Sequence, residues 1–255
     1  MKNFKMVLCY DGSRYNGWQK QGNTAHTLQE TLERILAEIA GTDTEVFGSG
    51  RTDAGTHALG QTANFHMDWK QDTEALRGAI NARLPEDIGV CALEEVDDRF
   101  HARLHAKAKR YVYTIWTGDM PPVFWRKYSF WCRERLDEEA MRQAASVFVG
   151  THDFKSFCAN KRMKKSTVRT IYDISLRKEG QRLILSFTGN GFLYQMVRIL
   201  MGTLLEVGEG KRKPSDMAEI LAAKNREAAG FTAPSRGLML ERVFYETDMK
   251  EIEQI

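Results

Sequence analysis

One carboxylate and one guanidinium stand two residues apart in a glycine-rich stretch. Between residues 47 and 66, Asp53 follows Arg51 in a run that also holds Gly48, Gly50, Gly55 and Gly60. Glycines there let the backbone take positive φ and let a ligand come close. A polar loop of this kind is a natural seat for chemistry. A carboxylate in it can act as nucleophile or general base, although loop aspartates also serve as Asx turns or helix caps. No second acidic residue sits beside Asp53 in the loop, which disfavours hydrolysis by a carboxylate pair.

Two further positions stand out. Arg198 lies among Tyr194, Met196, Val197, Ile199, Leu200 and Met201. An arginine on an apolar helix is costly to bury unless it meets an anion. Three readings fit it: a structural ion pair, an exposed stripe, or a partner that orients a catalytic carboxylate and favours its charged form. Tyr111 and Tyr113 alternate on a strand behind Lys107, Lys109 and Arg110. They either pack a sheet, or one of them stacks on a base while the cations hold phosphates. The histidines, including His57, His66, His101, His105 and His152, show no metal-ligand spacing. No phosphate-binding glycine motif and no nucleophile elbow occurs.

The elements that must position these residues follow from periodicity. Residues 4–10 read as a strand, Asp11-Gly12-Ser13 as a turn, and residues 14–21 as an ordered aromatic and polar loop. Thr27 and Glu30 have the spacing of a capping box. Leu28, Leu32, Ile35, Leu36 and Ile39 then form one apolar stripe that ends at Gly41. Strands are expected at 44–47 and 60–67, a helix at 72–84 and a strand at 88–96. The order strand, helix, strand, strand, helix, strand is that of a ferredoxin-like domain.

A basic linker near residue 100 leads to a second half. There, strands are expected at 111–116, 128–132 and 153–157, and a helix at 137–149. A hairpin is expected over 168–178 and 182–188, apolar and shorter helices at 192–207 and 214–224, and a closing strand at 238–245. The resulting division is 1–104, 105–247 and a frayed tail at 248–255.

The totals agree with a globular chain of ordinary composition. It has 255 residues, 42% hydrophobic and 28% charged, with a net charge of +3. No apolar run is long enough to cross a bilayer and the start lacks a signal-peptide core. Cys9, Cys91, Cys132 and Cys158 are scattered, which reads as reduced, mostly buried thiols in a cytoplasmic protein. Basic clusters at 103–110, 161–165 and 211–213 are either solvated faces or contacts to a polyanion.

Gly50-Arg51-Thr52-Asp53-Ala54-Gly55-Thr56-His57-Ala58 resembles the signature of the TruA family of tRNA pseudouridine synthases. Four other segments resemble that family in the same order. They are Tyr10-Asp11-Gly12-Ser13-Arg14-Tyr15-Asn16-Gly17-Trp18-Gln19, Phe100-His101-Ala102-Arg103 with Lys109-Arg110-Tyr111-Val112-Tyr113, the run from Gly189 to Arg198, and Thr232-Ala233-Pro234 with Gly237-Leu238.

The resemblance implies an α+β pseudouridine synthase fold. Two ferredoxin-like halves would share a mainly antiparallel sheet, with helices on one side and an active-site cleft between the halves. It implies an isomerase that converts uridine to pseudouridine at positions 38, 39 and 40 of the tRNA anticodon stem-loop. Asp53 would be the catalytic residue, Arg51 would help extrude the base, Tyr111 would stack on the uracil and Arg198 would pair with Asp53. The enzyme would be a cytoplasmic homodimer with tRNA as partner and no metal, organic cofactor or membrane. Thr56 and Gln195 stand where Val and His are common in the family, which leaves a paralogue with shifted target uridines as the alternative. A non-catalytic RNA-binding protein of ferredoxin-like type is the reading from another class.

Overall fold

In the computed structural model, residues 1–22, 24–160 and 162–252 are described. The first half runs β1 (Lys2–Tyr10), α1 (Leu28–Ala40), β2 (Val46–Gly48), β3 (His57–Met67), α2 (Thr73–Asn81) and β4 (Ile88–Val96). This is the expected βαββαβ order. The second half runs β5 (Ala108–Trp116), β6 (Phe130–Trp131), α3 (Glu138–Ser146), β7 (Gly150–Asp153), β8 (Val168–Glu179) and β9 (Arg182–Gly189). It continues through α4 (Met196–Gly208), α5 (Asp216–Ala223), β10 (Leu238–Phe244) and α6 (Met249–Ile252). Two compact units result. One is Met1–Lys107 with Met239–Thr247; the other is Ala108–Leu238 with the chain from Asp248.

In the first unit β1 is the centre of the sheet. It pairs antiparallel with β3 on one side and β4 on the other. β2 adds antiparallel to β3, and β10 adds parallel to it through Met239 and Leu240. Phe4, Met6, Leu8 and Tyr10 alternate inward along β1, the period of a sheet with one covered face. Leu28, Leu32, Ile35 and Leu36 of α1 and Leu76 and Ile80 of α2 are buried in the same unit. Thr27 caps α1, accepting from Glu30 N, and Gly41 closes it at φ 72°. Asp72 caps α2 in the same way.

In the second unit β7, β8, β9 and β5 pair in that order, all antiparallel, and β6 adds parallel to β5. Each unit is therefore mixed α and β around a mainly antiparallel sheet. Several bounds differ from expectation. Residues 153–157 do not form a strand: β7 ends at Asp153 and Lys155–Phe157 is a 3-10 turn. The strand expected at 128–132 is only Phe130–Trp131. The helix expected from 192 starts at Met196, because Gln195 takes a left-handed φ of 58°. Residues 249–252 form a helical turn with Ile252 buried instead of a frayed end; residues 253–255 of the expected tail lie outside the described residues. Cys132 and Cys158 are buried, Cys9 is half-buried and Cys91 is exposed, so burial of the thiols is only partial.

Candidate active site

The Asp53 loop joins β2 to β3 in the first unit. Its tightest point is a turn in which Thr56 N donates to Asp53 O at 3.0 Å. Gly55 takes φ +72° there, a conformation that favours glycine at the third position of such a turn. Thr52 and Thr56 are buried on either side, while Asp53 is half-buried.

Segment 10–18 supports this loop along its length. Tyr10 Oη and Thr52 Oγ1 share a hydrogen bond of 2.8 Å. Trp18 N donates to Thr52 O at 3.0 Å and Gly55 N to Tyr15 O at 3.4 Å. The contact is close enough to demand glycine: a Cβ on Gly17, at φ +88°, would lie 2.6 Å from Thr52 O. Tyr15 is itself held by Asp87, to which its hydroxyl donates at 2.8 Å. Burial, with that hydrogen bond, pushes the Tyr15 phenol up to about 12. Burial also raises the Tyr10 phenol well above its usual range, so both tyrosines remain neutral hydrogen-bonding groups.

Arg51 is exposed at the mouth of the loop. Its Nε donates to Gln19 Oε1 at 3.0 Å. Gln19 in turn donates to Gln29 Oε1 at 2.8 Å, and Gln29 donates to Val46 O at 3.1 Å. A relay of two amides thus steers the guanidinium from α1. On the other side of the loop, Ser49 Oγ donates to Gln61 Oε1 at 2.7 Å and Gln61 Nε2 to Gly50 O at 2.9 Å.

In the second unit Tyr111 is 8% exposed and meets Phe192 edge-on, with ring centroids 5.3 Å apart. Tyr113 is fully buried and donates to Pro234 O at 2.9 Å. Burial pushes its phenol up, and the positive charges of Arg198 and Arg236 act against that. Arg198 is half-buried in the first turn of α4. Its Nε donates to Ala233 O at 2.7 Å, and Ala233 N donates back to Arg198 O at 3.0 Å. One anchor of Arg198 is thus the backbone at Ala233, reached through Nε.

The structure therefore places Arg51 and Asp53 together in one loop of the first unit, and Tyr111 and Arg198 in the second. Sequence reasoning missed Tyr10, Asp11, Thr52, His57 and Gln19 as supports. Among the described residues no group of three His, Cys, Asp or Glu could hold a metal. The basic clusters separate by partner. Lys211 pairs with Glu209 at 2.5 Å, Arg212 pairs with Glu206, and Lys107 pairs with Glu246 at 2.8 Å. Arg162, Lys164 and Lys165 are exposed, and Lys161 of that cluster lies outside the described residues. No helix among the described residues is long and apolar enough to cross a membrane.

Known proteins resemble this chain over most of its length. The sequence profile described as tRNA pseudouridine synthase matches residues 6–104 and 144–246. The tRNA pseudouridine synthase A of Acetivibrio thermocellus is 44% identical over 245 residues, covering 96% of this chain and 100% of the relative. That of Brevibacillus brevis is 45% identical over 245 residues, with 96% and 100% covered. The tRNA pseudouridine synthase A 2 of Bacillus anthracis is 42% identical over 243 residues, with 95% and 99% covered.

Proposed function

The chain belongs to the tRNA pseudouridine synthase family, and from that premise we propose that Asp53 drives isomerisation of uridine to pseudouridine in the tRNA anticodon stem-loop. Its overall activity is that of an isomerase acting on uridine in tRNA. The proposal concerns the residues and the target, positions 38, 39 and 40. The observation that carries it is the Asp53 turn: a half-buried carboxylate between two buried threonines, on a backbone held by its neighbours.

The reaction breaks the bond from uracil N1 to C1′, turns the base and forms a bond from C5 to C1′. The proton on C5 leaves and N1 gains one, so no net redox change occurs. A single carboxylate suffices for such a sequence, either as a nucleophile that holds the fragment or as the base that removes the C5 proton. A base in or beside a stem must first leave its stack. Arg51, exposed and steered by Gln19, is suited to take the space the base vacates. Tyr111 supplies a ring for the extruded uracil, and Arg198 supplies the positive charge that partners the Asp53 carboxylate. These roles rest on the motif resemblance and on the chemistry the reaction needs. A homodimer, a cytoplasmic setting and independence from metal or organic cofactor belong to the same reading. Exposed cations at 162, 164 and 165 suit phosphate contacts.

The test incubates tRNA carrying uridines at 38–40 with the wild-type protein and with Asp53→Ala, then maps pseudouridine. The expected result is loss of isomerisation with tRNA binding retained. Equal activity of the two proteins overturns the assignment of Asp53, and pseudouridine formed only at other positions overturns the target.

A further inference from the structure

We propose that His57, clamped by the Asp11–Gly12 turn, is a positioning residue that fixes the Asp53 turn against β1. The inference rests on the reading of Asp53 as the reacting carboxylate.

The ladder between β1 and β3 ends at Tyr10 and Ala58. One residue further on, its place is taken by a side chain. Gly12 N donates to His57 Nδ1 at 3.1 Å, and Asp11 Oδ1 lies 3.2 Å from the same nitrogen. The ring can use Nδ1 in one way at a time: as an acceptor it serves Gly12 N–H, as a donor it serves Asp11. Either state ties the first residue of β3 to the 11–12 turn. His57 is 1% exposed, so water does not compete for the contact.

The other half of the clamp is equally fixed. Asp11 Oδ1 accepts from Ser13 N at 2.9 Å and from Ser13 Oγ at 2.6 Å, and Asp11 N donates to Asp87 O at 2.9 Å. Gly12 lies so near the loop that a Cβ on it would be 2.0 Å from Thr56 O. The clamp thus grips Thr56 and His57, immediately after the turn that Thr56 N closes on Asp53 O. A reacting group misplaced by about 1 Å loses on the order of 100-fold in rate. A clamp beside the turn is where such precision is set.

The test measures kcat and KM on tRNA for His57→Ala, His57→Asn, Asp11→Asn and Gly12→Ala, with Asp53→Asn as reference and with thermal unfolding recorded for each. His57→Ala is expected to lower kcat by about 100-fold with KM little changed. His57→Asn, whose side-chain oxygen can accept from Gly12 N–H, is expected to recover about tenfold of that loss. Gly12→Ala is expected to lower kcat through the clash with Thr56 O. If His57→Ala fails to fold, Asp11→Asn and Gly12→Ala carry the same comparison.

Wild-type kcat in His57→Ala, or in both Asp11→Asn and Gly12→Ala, with Asp53→Asn inactive, overturns the positioning role and leaves the reading of Asp53 intact. The same holds for a loss confined to unfolding temperature or to KM. Activity in Asp53→Asn overturns the reading itself, and the clamp then has no reacting group to position.

Discussion

The Asp53 loop and the start of α4 are held by different forces. In the loop, position is set by directional contacts: Tyr10 to Thr52, Trp18 to Thr52 O, Gly55 to Tyr15 O and Gly12 to His57. The helix that carries Arg198 is set mainly by burial. Met196, Val197, Ile199, Leu200 and Met201 are all 3% exposed or less. Gly202 lets the helix lie directly on the backbone at Phe231, where a Cβ would be 1.9 Å from Phe231 O. Gln195 makes no side-chain cap, so the helix end depends on packing and on backbone bonds such as Met196 N to Leu193 O and Ala233 N to Arg198 O. Dispersion and hydrophobic burial are strong in sum but non-directional. Hydrogen bonds are weak in net but fix angles. The difference teaches that stability and geometry are supplied by separate regions of this chain, and that each can be attacked separately.

The largest effect on stability is expected from Leu200→Ala. The side chain is fully buried, and its removal is expected to cost about 2–5 kcal/mol of unfolding free energy. Denaturant unfolding measures the loss, and turnover per folded molecule is expected to stay near wild type. A normal midpoint with reduced turnover would break the comparison, because packing at Leu200 would then be setting geometry and not stability. A smaller loss of stability is expected from Tyr10→Phe. The hydroxyl of Thr52 would lose a buried partner, at a cost of about 1–3 kcal/mol. Because Thr52 is beside Asp53, kcat is expected to fall as well. A stability loss without any change in kcat would show that the loop does not rely on directional contacts.

The same contrast explains what the sequence disclosed. α1 was legible because Thr27, a single apolar stripe and Gly41 all agree, and each is local. The start of α4 was not. Phe192, Leu193 and Tyr194 continue the apolar run without a break, and the left-handed Gln195 that delays the helix is not a glycine. Residues 153–157 read as a short strand, yet Phe154 and Phe157, three residues apart, are both buried through a 3-10 turn. Asp53 and Arg51 draw attention in the sequence because glycines surround them. Their supports do not, because Gln19 and Arg51 are 32 residues apart, and Gly12 and His57 are 45 apart. Such partners become visible only when the register of β1 on β3 is known.

The smallest effect concerns the seam between the two kinds of support. At the start of α1, Thr27 Oγ1 accepts from Glu30 N at 3.3 Å. The preceding N–H groups are taken by the segment that carries the Asp53 loop: Leu28 N donates to Gly17 O at 3.2 Å and Gln29 N to Trp18 O at 3.0 Å. The helix end therefore has one side-chain cap and two backbone caps, and the latter also fix Gly17 and Trp18. Thr27→Ala removes only the first, at a cost of about 1 kcal/mol. A shift of the unfolding midpoint of that size is expected, with kcat within about twofold of wild type, since a backbone tether survives on each side of Trp18. A much larger fall in kcat would mean that the cap itself carries the loop. The line between regions that stabilise and regions that aim would then run through α1 and not beside it.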